Sequence, residues 1–498
     1  MGARSRLAEL LSSAPADARA VEFEESWWNW GALRSIARRL DAVLTEAGLE
    51  DGTRVGVVLE NRPEHLAVIC SVLATNRCVV TLSPLQPPER LAADIARSGL
   101  SVVVASRGVL ENEGVLTAVT EAGLALRLET DGRLERAGGR PRPDAETAPG
   151  VSIEMLTSGT TGPPKRVRLL DRQFDTALES SGQRPRKGAL LRSGVGLVST
   201  PLVHIGGLWS AVAGLYAGRR LVLLRRFSLE PWVRAVERYR PPAAGLVPAA
   251  LRTVLDAEVP PEKLSSLRVV TCGTTYCPPE LADAFFRAYG ARVLMTYGAT
   301  EFAGAVAAWT LPLHEKWWDT KAGSAGRPLP GVEMRVTGED GTLVALGEVG
   351  HLEIRTAQSP DGSEAWVRTS DLARLDEDGF VWIHGRADDA IVRGGFKVQP
   401  DQVRQALERH PAVHEAAVVA LPDARLGQVP VAAVELRPGH TAPSAQELTT
   451  SCREVLTPYE VPAHIVVLDA LPRTPSFKVS RVELLDLVRA SLAADGAA

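Results

Sequence analysis

The sequence predicts an α/β protein in which a large N-terminal domain precedes a small α+β C-terminal domain. Three observations lead to this expectation. The chain has 498 residues, more than a single hydrophobic core usually serves. Short apolar runs alternate with stretches of helical periodicity up to residue 298, a pattern typical of parallel α/β sheets. Beyond that point the texture of the sequence changes twice, and each change indicates a further structural unit.

Two α/β subdomains are predicted in the first part of the chain. From residue 30 to residue 104, helix-like stretches such as GALRSIARRLDAVLTEAGL alternate with strand-like runs such as RVGVVLE, CVVTL and SVVVAS. A passage rich in Pro, Gly and Asp at residues 137–150 interrupts this order. The alternation then resumes with VGLVST and continues to VLMTYG, so we expect a second, related α/β subdomain.

A β-rich subdomain and a small C-terminal domain are predicted to follow. Residues 331–384 lose helical periodicity and contain strand-like runs separated by Gly and Asp turns. After Arg386 the pattern predicts an α+β fold, with helices at 399–410, at 445–456 and after residue 480, and strands at 413–421 and 429–436. The expected domains are therefore residues 1–385 and 386–498.

The composition favours small-molecule partners. A formal net charge of -4, with 45% hydrophobic and 23% charged residues, gives no electrostatic reason to expect nucleic acid or an anionic membrane. The five cysteines are scattered without C-x-x-C spacing, and we expect them to be packing residues in a reducing cytoplasm. No targeting segment or apolar stretch of bilayer length is visible, so a soluble, cytoplasmic protein is expected.

The strongest local signal is the segment MLTSGTTGPPK at residues 155–165. Its glycines allow backbone N–H groups to approach phosphate oxygens, its hydroxyls add donors, and Lys165 supplies a positive charge. The spacing G-x-x-G-x-x-K differs from the G-x-x-x-x-G-K-[ST] of P-loop nucleotidases, which weakens that interpretation. The residues alone leave two alternatives open, a polyphosphate-binding loop and an ordinary Ser/Thr/Gly turn.

The segment TSGTTGPPK resembles the phosphate-loop signature of the adenylate-forming superfamily, which includes acyl-CoA synthetases, firefly luciferases and the adenylation domains of nonribosomal peptide synthetases. Further segments resemble that family's motifs in the same order, so the match covers essentially the whole chain. They are PLVHIGG at 201–207, TYGATE at 296–301, TSD at 369–371, GRADD at 385–389 and PRTPSFK at 472–478.

The resemblance implies a set of functional residues. The implied ATP-binding residues are Thr157, Ser158, Gly159, Thr160, Thr161, Gly162, Lys165, Gly273, Thr274, Thr275, Tyr297, Asp371 and Arg386. The implied catalytic residues are Lys478, Thr300, Glu301 and His204, and Glu301 is also the implied magnesium ligand. The implied pocket for the acid contains Trp209, Val247 and Ala299.

These residue types suit the implied chemistry. Attack of a carboxylate on the α-phosphate of ATP builds negative charge, which cations and donors must neutralise. Tyr297 offers a flat face for adenine, and Asp371 can accept hydrogen bonds from both ribose hydroxyls. Without the resemblance, Tyr297 and His204 are equally well explained as core residues. Without it, Asp371 and Arg386 are better explained as exposed surface charges, and Lys478 as a solvated lysine.

The resemblance also implies a second reaction. In the family a mobile C-terminal domain rotates about the residue that matches Asp388, first presenting the lysine loop and then a glycine stretch. Gly394 and Gly395 would flank a tunnel for the pantetheine arm of CoA, and His204 would lie where this tunnel meets the acid pocket. ATP and Mg2+ are the expected cofactors, with CoA as the expected co-substrate.

The predicted function is ATP-dependent activation of a carboxylic acid as acyl-AMP, with pyrophosphate release and transfer to CoA. The sequence departs from the family pattern at Pro164, Arg166, Ser370 and Phe477, and it has Cys-Gly-Thr-Thr at 272–275 where Gly-Gly-Ala-Pro is usual. These departures leave the acid and the acceptor open. We favour an aryl or medium-chain acid.

Two alternatives remain. In the first, the enzyme delivers the acyl group to a carrier protein or an amine, or activates nitrite. In the second, the chain is a catalytically silent nucleotide-binding homologue, although a silent protein would not need the full set of charged residues at 165, 301, 371, 386 and 478. The oligomeric state is not predicted.

Overall fold

The structure is a computed structural model that describes residues 2–157, 165–180, 182, 184–186, 188–394, 396–423, 425–474 and 478–495, with the side chains of residues 157, 165, 397 and 493–495 outside the description. These residues form two compact units. The first comprises the described residues up to Glu333 together with Arg355–Trp366. The second comprises Met334–Ile354 and the described residues from Val367 onward.

The first part of the first unit is an α/β segment that ends at Leu170. Its elements, in chain order, are α1 (Ala3–Ser13), β1 (Arg19–Phe23), β2 (Ser26–Asn29), α2 (Trp30–Glu46), β3 (Arg54–Val58), α3 (Pro63–Ala74), β4 (Cys78–Leu82), α4 (Pro88–Arg97), β5 (Val102–Ser106), α5 (Arg107–Leu110), α6 (Glu113–Ala122), β6 (Leu124–Leu128), β7 (Leu134–Gly138), β8 (Val151–Thr157) and β9 (Lys165–Leu170).

A seven-stranded sheet organises this segment, in the order β7-β6-β5-β3-β4-β8-β9. The inner strands pair in parallel, and the edge strands β7 and β9 are antiparallel to their neighbours. Every residue of β3 and β4 is buried, as expected for parallel strands whose two faces are both covered. The continuous apolar runs therefore predicted these strands correctly.

Helix α2 shows how the sequence pattern produces this packing. The Asn29 side chain accepts a hydrogen bond from Ala32 N at 2.8 Å and caps the first turn. Leu33, Ile36 and Leu40 recur at helical spacing and are almost fully buried in the main core. The helix ends at Glu46, before the predicted strand that follows.

The second part of the first unit holds a further α/β segment. Its elements are α7 (Asp171–Ser180), β10 (Val195–Val198), α8 (Ile205–Tyr216), β11 (Arg220–Leu223), α9 (Leu229–Tyr239), β12 (Ala243–Leu246), α10 (Pro248–Asp256), α11 (Pro261–Leu264), β13 (Val269–Cys272), α12 (Pro279–Tyr289), β14 (Arg292–Ala299), a 3-10 helix (Thr300–Phe302), β15 (Gly304–Ala308), α13 (Leu311–Lys321) and β16 (Arg327–Pro328).

Two sheets are built from these strands. One has the order β12-β13-β14-β15-β16, with β12, β13 and β14 parallel. The other has the order β10-β11-β1-β2, so the N-terminal hairpin completes a sheet of the second segment. The sequence did not indicate this pairing, because nothing in the local pattern of β1 identifies a partner about 200 residues away.

The second unit contains the β-rich part and the α+β part of the chain. Its elements are β17 (Val332–Thr337), β18 (Gly350–Thr356), β19 (Val367–Leu375), β20 (Val381–Arg386), a second 3-10 helix (Ala387–Asp389), β21 (Ile391–Arg393), β22 (Phe396–Val398), α14 (Pro400–Glu408), β23 (Val413–Asp423), β24 (Gly427–Leu436), α15 (Ala445–Arg453), β25 (His464–Leu468) and α16 (Arg481–Asp495). The first two residues of β17 and the last two residues of β18 belong to the first unit, so both strands cross the boundary between the units.

Strands β17 to β20 form a sheet in sequence order, and β21 to β25 form another in the order β22-β21-β24-β23, with β25 beside β24. The helices and long strands of the C-terminal part lie within a few residues of their predicted positions, which confirms the predicted α/β and α+β classes. The boundary at residues 385 and 386 stays a prediction. None of the described helices combines the length and apolar content that crossing a membrane requires.

Candidate active site

The predicted adenine and acid residues meet at one edge of the β12-β13-β14 sheet. Val247 follows β12, Gly273 follows β13, and Tyr297 lies near the end of β14. The strands are parallel and in register, with Leu246 opposite Cys272 and Cys272 opposite Met295. Their carboxyl ends therefore share one edge, which is where open α/β sheets bind ligands.

The loop after β13 approaches β14 closely. A Cβ atom at Gly273 would lie 2.5 Å from Thr296 Oγ1 and 3.1 Å from Thr296 O, so this position requires glycine. Thr274 has a φ of +72°, a conformation that is rare for a β-branched residue, and both Thr274 and Thr275 are exposed. The backbone thus presents these two side chains to solvent at the edge where nucleotide and acid are expected.

Thr300 and Glu301 lie in the 3-10 helix that directly follows β14, and Glu301 is exposed. The buried side chain of Gln173 holds this turn, because its Nε2 donates to Glu301 O at 3.0 Å and to Gln358 O at 2.7 Å. Its Oε1 accepts from Leu170 N at 2.8 Å, at the end of β9. Gln173 therefore links the strand after the phosphate loop to the turn that carries Glu301.

The sequence interpretation missed Gln173. The only local signal is its position on α7. Gln173 lies next to the buried Phe174 and four residues before the buried Ala177, so it is a polar residue on an otherwise apolar helix face. A buried amide with three hydrogen bonds to backbone groups is a positioning residue. Its partners are distant in sequence, so the pattern alone could not identify its role.

Helix α8 brings the predicted acid-pocket residues toward the same edge. His204 immediately precedes α8 and is half-buried. Trp209 packs edge-on against Phe174, with ring centroids 5.6 Å apart. A side chain placed at Gly304 would lie 3.9 Å from the Trp209 ring, and Gly304 pairs with Ala299 at the end of β14. Trp209 therefore lies beside the strand residue that pairs with Ala299, and their role in binding the acid stays a prediction.

Residues 158–164 of the phosphate loop lie outside the described residues, but the strands on either side are described. They form an antiparallel pair in which Thr157 is opposite Lys165. The loop thus connects two strands, whereas a P-loop leads into a helix. This topology excludes the P-loop interpretation that the spacing had already weakened.

In the second unit, Asp371 and Arg386 lie opposite each other on β19 and β20. Arg386 donates to both carboxylate oxygens of Asp388, through Nε and Nη2, each at 2.8 Å. These hydrogen bonds are the largest cause that lowers the pKa of Asp388 and raises the pKa of Arg386. The predicted ribose ligands and the predicted hinge residue therefore form one charged cluster.

The backbone at Lys478 is fixed by two contacts. Thr474 N donates to Lys478 O at 2.7 Å, and Arg473 forms an isolated antiparallel β-bridge with Val479. The residue is exposed, yet the surrounding chain removes enough water from the ammonium group to lower its pKa, and the charge of Arg386 lowers the pKa further. Lys478 is thus within electrostatic range of Arg386. The preceding loop residues 475–477 lie outside the described part of the chain.

The predicted tunnel glycines are described in part. Gly394 follows β21, and its N–H group donates to Leu426 O at 2.8 Å. Arg393 pairs with Phe396 across the turn, and Gly395 itself lies outside the described residues. Gly394 therefore lies directly after β21 and is held by the backbone of Leu426.

Family models place the chain among known enzymes. Residues 9–362 match the model described as AMP-binding enzyme, and residues 402–478 match that of the AMP-binding enzyme C-terminal domain. Together with the strand-end site, these matches define an adenylate-forming enzyme. The chain belongs to the AMP-binding enzyme family, and within it to the AMP-forming acid–thiol ligases, which activate a carboxylate as its adenylate before transfer to a thiol.

Three individual relatives match between 70% and 97% of the chain. The sulfoacetate–CoA ligase of Cupriavidus necator is 31% identical over 482 residues, 92% of each chain. A fatty acid–[acyl-carrier-protein] ligase of Streptomyces coeruleorubidus is 32% identical over 360 residues, 70% of this chain and 69% of the relative. The solved structure of an amide bond synthetase from Marinactinospora thermotolerans has a TM-score of 0.81 and 26% identity, with 97% of this chain and 99% of that chain covered.

Proposed function

We propose that adenylation takes place at the carboxyl edge of β12, β13 and β14, with adenine between Tyr297 and the loop Gly273–Thr275. The observation that supports this proposal most is the meeting of these residues with Ala299 and Glu301 at one strand edge of a family member. Thr300 then donates its hydroxyl to the α-phosphate, and the residues of the phosphate loop bind the β- and γ-phosphates.

Glu301 is the proposed magnesium ligand. It is an exposed carboxylate on a turn that Gln173 holds by a hydrogen bond to its backbone, and hard cations such as Mg2+ prefer oxygen ligands of this kind. When bound, the ion would offset the charge of the triphosphate. The residues present therefore fit the ion.

Lys478, Arg386 and Asp371 are proposed to act in the first half-reaction. Asp371 binds the ribose hydroxyls together with Arg386, and Lys478 donates to the carboxylate and to an α-phosphate oxygen while negative charge builds. A lowered pKa on Lys478 makes its ammonium a better hydrogen-bond donor to that charge. Rotation about Asp388 afterwards replaces the lysine with the stretch at Gly394 and Gly395.

CoA is the proposed acceptor, with His204 at the junction between its pantetheine arm and the acid. The sulfoacetate relative is named for this acceptor and matches 92% of the chain. A carrier protein or an amine is the second candidate, because the carrier-protein ligase and the amide bond synthetase named above have those acceptors. The free thiols of all five cysteines favour a cytoplasmic location.

The acid is proposed to be an aryl or medium-chain acid. Trp209 and Phe174 form an edge-to-face aromatic pair beside Gly304 and Ala299, a surface that packs well against flat or apolar groups. Because Gly304 has no side chain, the space next to the Trp209 ring stays open.

Pyrophosphate release tests the proposal. The purified chain is given ATP, Mg2+ and a panel of aryl, aliphatic and sulfonated carboxylic acids, each with and without CoA, and thioester is measured in the same reactions. We expect acid-dependent pyrophosphate release and, for the same acid, a CoA thioester. Pyrophosphate release without any thioester would favour the carrier-protein or amine acceptor, and no release with any acid would contradict adenylation.

A further inference from the structure

Asn61 is a buried amide that joins three backbone groups from distant parts of the first unit. It lies between β3 and α3 and is 6% exposed. Its Nδ2 donates to Thr200 O at 3.0 Å and to Leu224 O at 2.9 Å, and its Oδ1 accepts from Leu202 N at 2.7 Å. Both donor hydrogens of the amide and its carbonyl oxygen are thus bonded to one small region of backbone.

That region is the point where β10 and β11 end. The two strands pair in parallel up to Val198 and Leu223, and Leu224 N still donates to Val198 O at 2.9 Å. Beyond this bond the chain after β10 turns toward α8 and the chain after β11 continues toward α9. Where the hydrogen bonds between β10 and β11 end, the Asn61 amide joins the two segments, because it bonds to Thr200 and Leu202 after β10 and to Leu224 after β11.

The same segment is confined from its other side. A Cβ atom at Gly207, in the first turn of α8, would overlap the carbonyl oxygens of Pro201 and Thr200. His204 N also donates to Pro201 O at 3.0 Å. Residues 200–204 are therefore held between the Asn61 amide and the backbone of α8, and the start of α8 is set by both contacts.

We propose that Asn61 is a positioning residue for acid recognition, which fixes residues 200–204 so that His204 and Trp209 face the acid at the correct distance. The inference rests on the proposed function, since it takes these two residues to contact the substrate. In this proposal Asn61 contacts neither the acid nor ATP. Its effect reaches the site through the backbone of Thr200 and Leu202 and through the first turn of α8.

The chemistry of the amide predicts the effect of graded substitutions. In Asn61→Asp the acceptor for Leu202 N remains, but a carboxylate oxygen faces the two carbonyl oxygens that the amide had bonded. In Asn61→Leu all three hydrogen bonds are lost, while the branching of the side chain is kept. Both changes free residues 200–204. Asn61→Asp also buries a charge and is the harsher change, so Asn61→Leu is the variant expected to fold in the same way as the wild type.

The matched control is Ser71→Ala. Ser71 lies on α3, is 2% exposed, and donates to Ala37 O at 2.9 Å, so its loss removes a buried hydrogen bond that does not involve residues 200–204. If Asn61 has only a structural role, its variants and Ser71→Ala should lower the melting temperature and the active fraction equally. If Asn61 positions residues 200–204, its variants should differ from Ser71→Ala.

Two measurements on the full chain test the proposal. Hydrogen exchange followed by mass spectrometry reports on peptides that cover residues 200–208, and pyrophosphate release reports KM for ATP and for two acids of different size. For the Asn61 variants we expect exchange in that peptide to become about tenfold faster and KM for the acid to rise about tenfold, with a changed ratio between the two acids. KM for ATP should stay within about twofold, and Ser71→Ala should show none of these changes.

Three results would overturn the inference. Exchange that is unchanged in both Asn61 variants would show that the amide does not fix the segment. Faster exchange with unchanged acid KM and selectivity would show that the segment does not govern the acid. If the wild-type enzyme releases no pyrophosphate with any acid, the proposed function itself is overturned. That result is seen with the wild type and does not depend on the Asn61 variants.

Discussion

At the scale of single residues, Lys478 and Arg386 differ in how the surrounding chain holds them. Arg386 donates to both carboxylate oxygens of Asp388 through one edge of its guanidinium group, and its backbone pairs with Asp371 on the neighbouring strand. Lys478 has a lowered pKa because of desolvation and the nearby positive charge of Arg386. A fixed guanidinium and a lysine with reduced pKa suit charge that appears only during the reaction.

Lys478→Ala is expected to reduce acyl-AMP formation by roughly 100-fold or more, since a donor to the developing charge is removed. Thioester formation from synthetic acyl-AMP should be almost unchanged. The two half-reactions are measured separately by pyrophosphate release and by thioester yield. Equal loss in both would contradict a role confined to adenylation.

The pH dependence of adenylation should report the pKa of Lys478. The ammonium is present below this pKa and lost above it, so the rate should fall on the alkaline side at a pH below the usual lysine range. Arg386→Gln removes one positive charge and should move this fall to higher pH, measured at saturating ATP. A fall that stays at the same pH would contradict the coupling between the two residues.

At the scale of single elements, the turn after β14 depends on a helix that lies far from it in sequence. Helix α7 supplies Gln173, whose amide bonds to Glu301 O and Gln358 O, while Gln358 Nε2 donates to Phe302 O at 3.3 Å. Two buried amides thus hold the short 3-10 helix, which has only three residues and cannot maintain its own geometry.

Gln173→Leu should therefore raise KM for Mg-ATP severalfold and lower stability by about 1–3 kcal/mol, because buried carbonyl groups lose their donor. The control Thr176→Ala removes an exposed hydrogen bond of the same helix and should change neither quantity. Melting curves and pyrophosphate release at varied ATP give both values. A Gln173→Leu variant with lower stability and unchanged KM for ATP would limit the residue to a structural role.

At the scale of the whole molecule, the proposed two-step reaction depends on rotation about Asp388. This residue lies in the 3-10 helix after β20, and the neighbouring Asp389 is bound by both terminal nitrogens of Arg481, at 2.7 and 2.9 Å. The Asp389 side chain is only 7% exposed, so this bidentate pair ties the 3-10 helix to the start of α16. The proposed hinge residue therefore lies beside a residue that is held in place.

Asp388→Pro is expected to leave adenylation largely intact and to abolish CoA thioester formation, since proline fixes φ and hinders the rotation. Asp388→Ala is the control, because it also removes the ion pair with Arg386 but leaves φ free. Pyrophosphate release and thioester yield are compared for both variants. Equal thioester loss in Asp388→Ala would assign the effect to the carboxylate and not to the hinge.

The sequence by itself determined the α/β class, the order of the strands and helices and the family. Apolar period and turn residues act over short distances, so β3, β4, β13 and α2 could be located from their own residues. The resemblance of residues 296–301 to a family motif predicted roles for Tyr297, Thr300 and Glu301, and the structure places these residues along one strand and the turn that follows it.

Only the tertiary structure decided which distant groups meet. The pairing of β1 with β11, the hydrogen bonds of Gln173 to Glu301 and of Asn61 to Leu202, and the approach of Trp209 to Gly304 join residues that lie about 95 to 200 positions apart. Such contacts depend on how whole sheets pack, and a buried amide has no periodic signal that names its partner. For that reason the roles of Gln173 and Asn61 could not be predicted from the sequence, whereas the ligand-binding roles carried by the family motifs stay predictions.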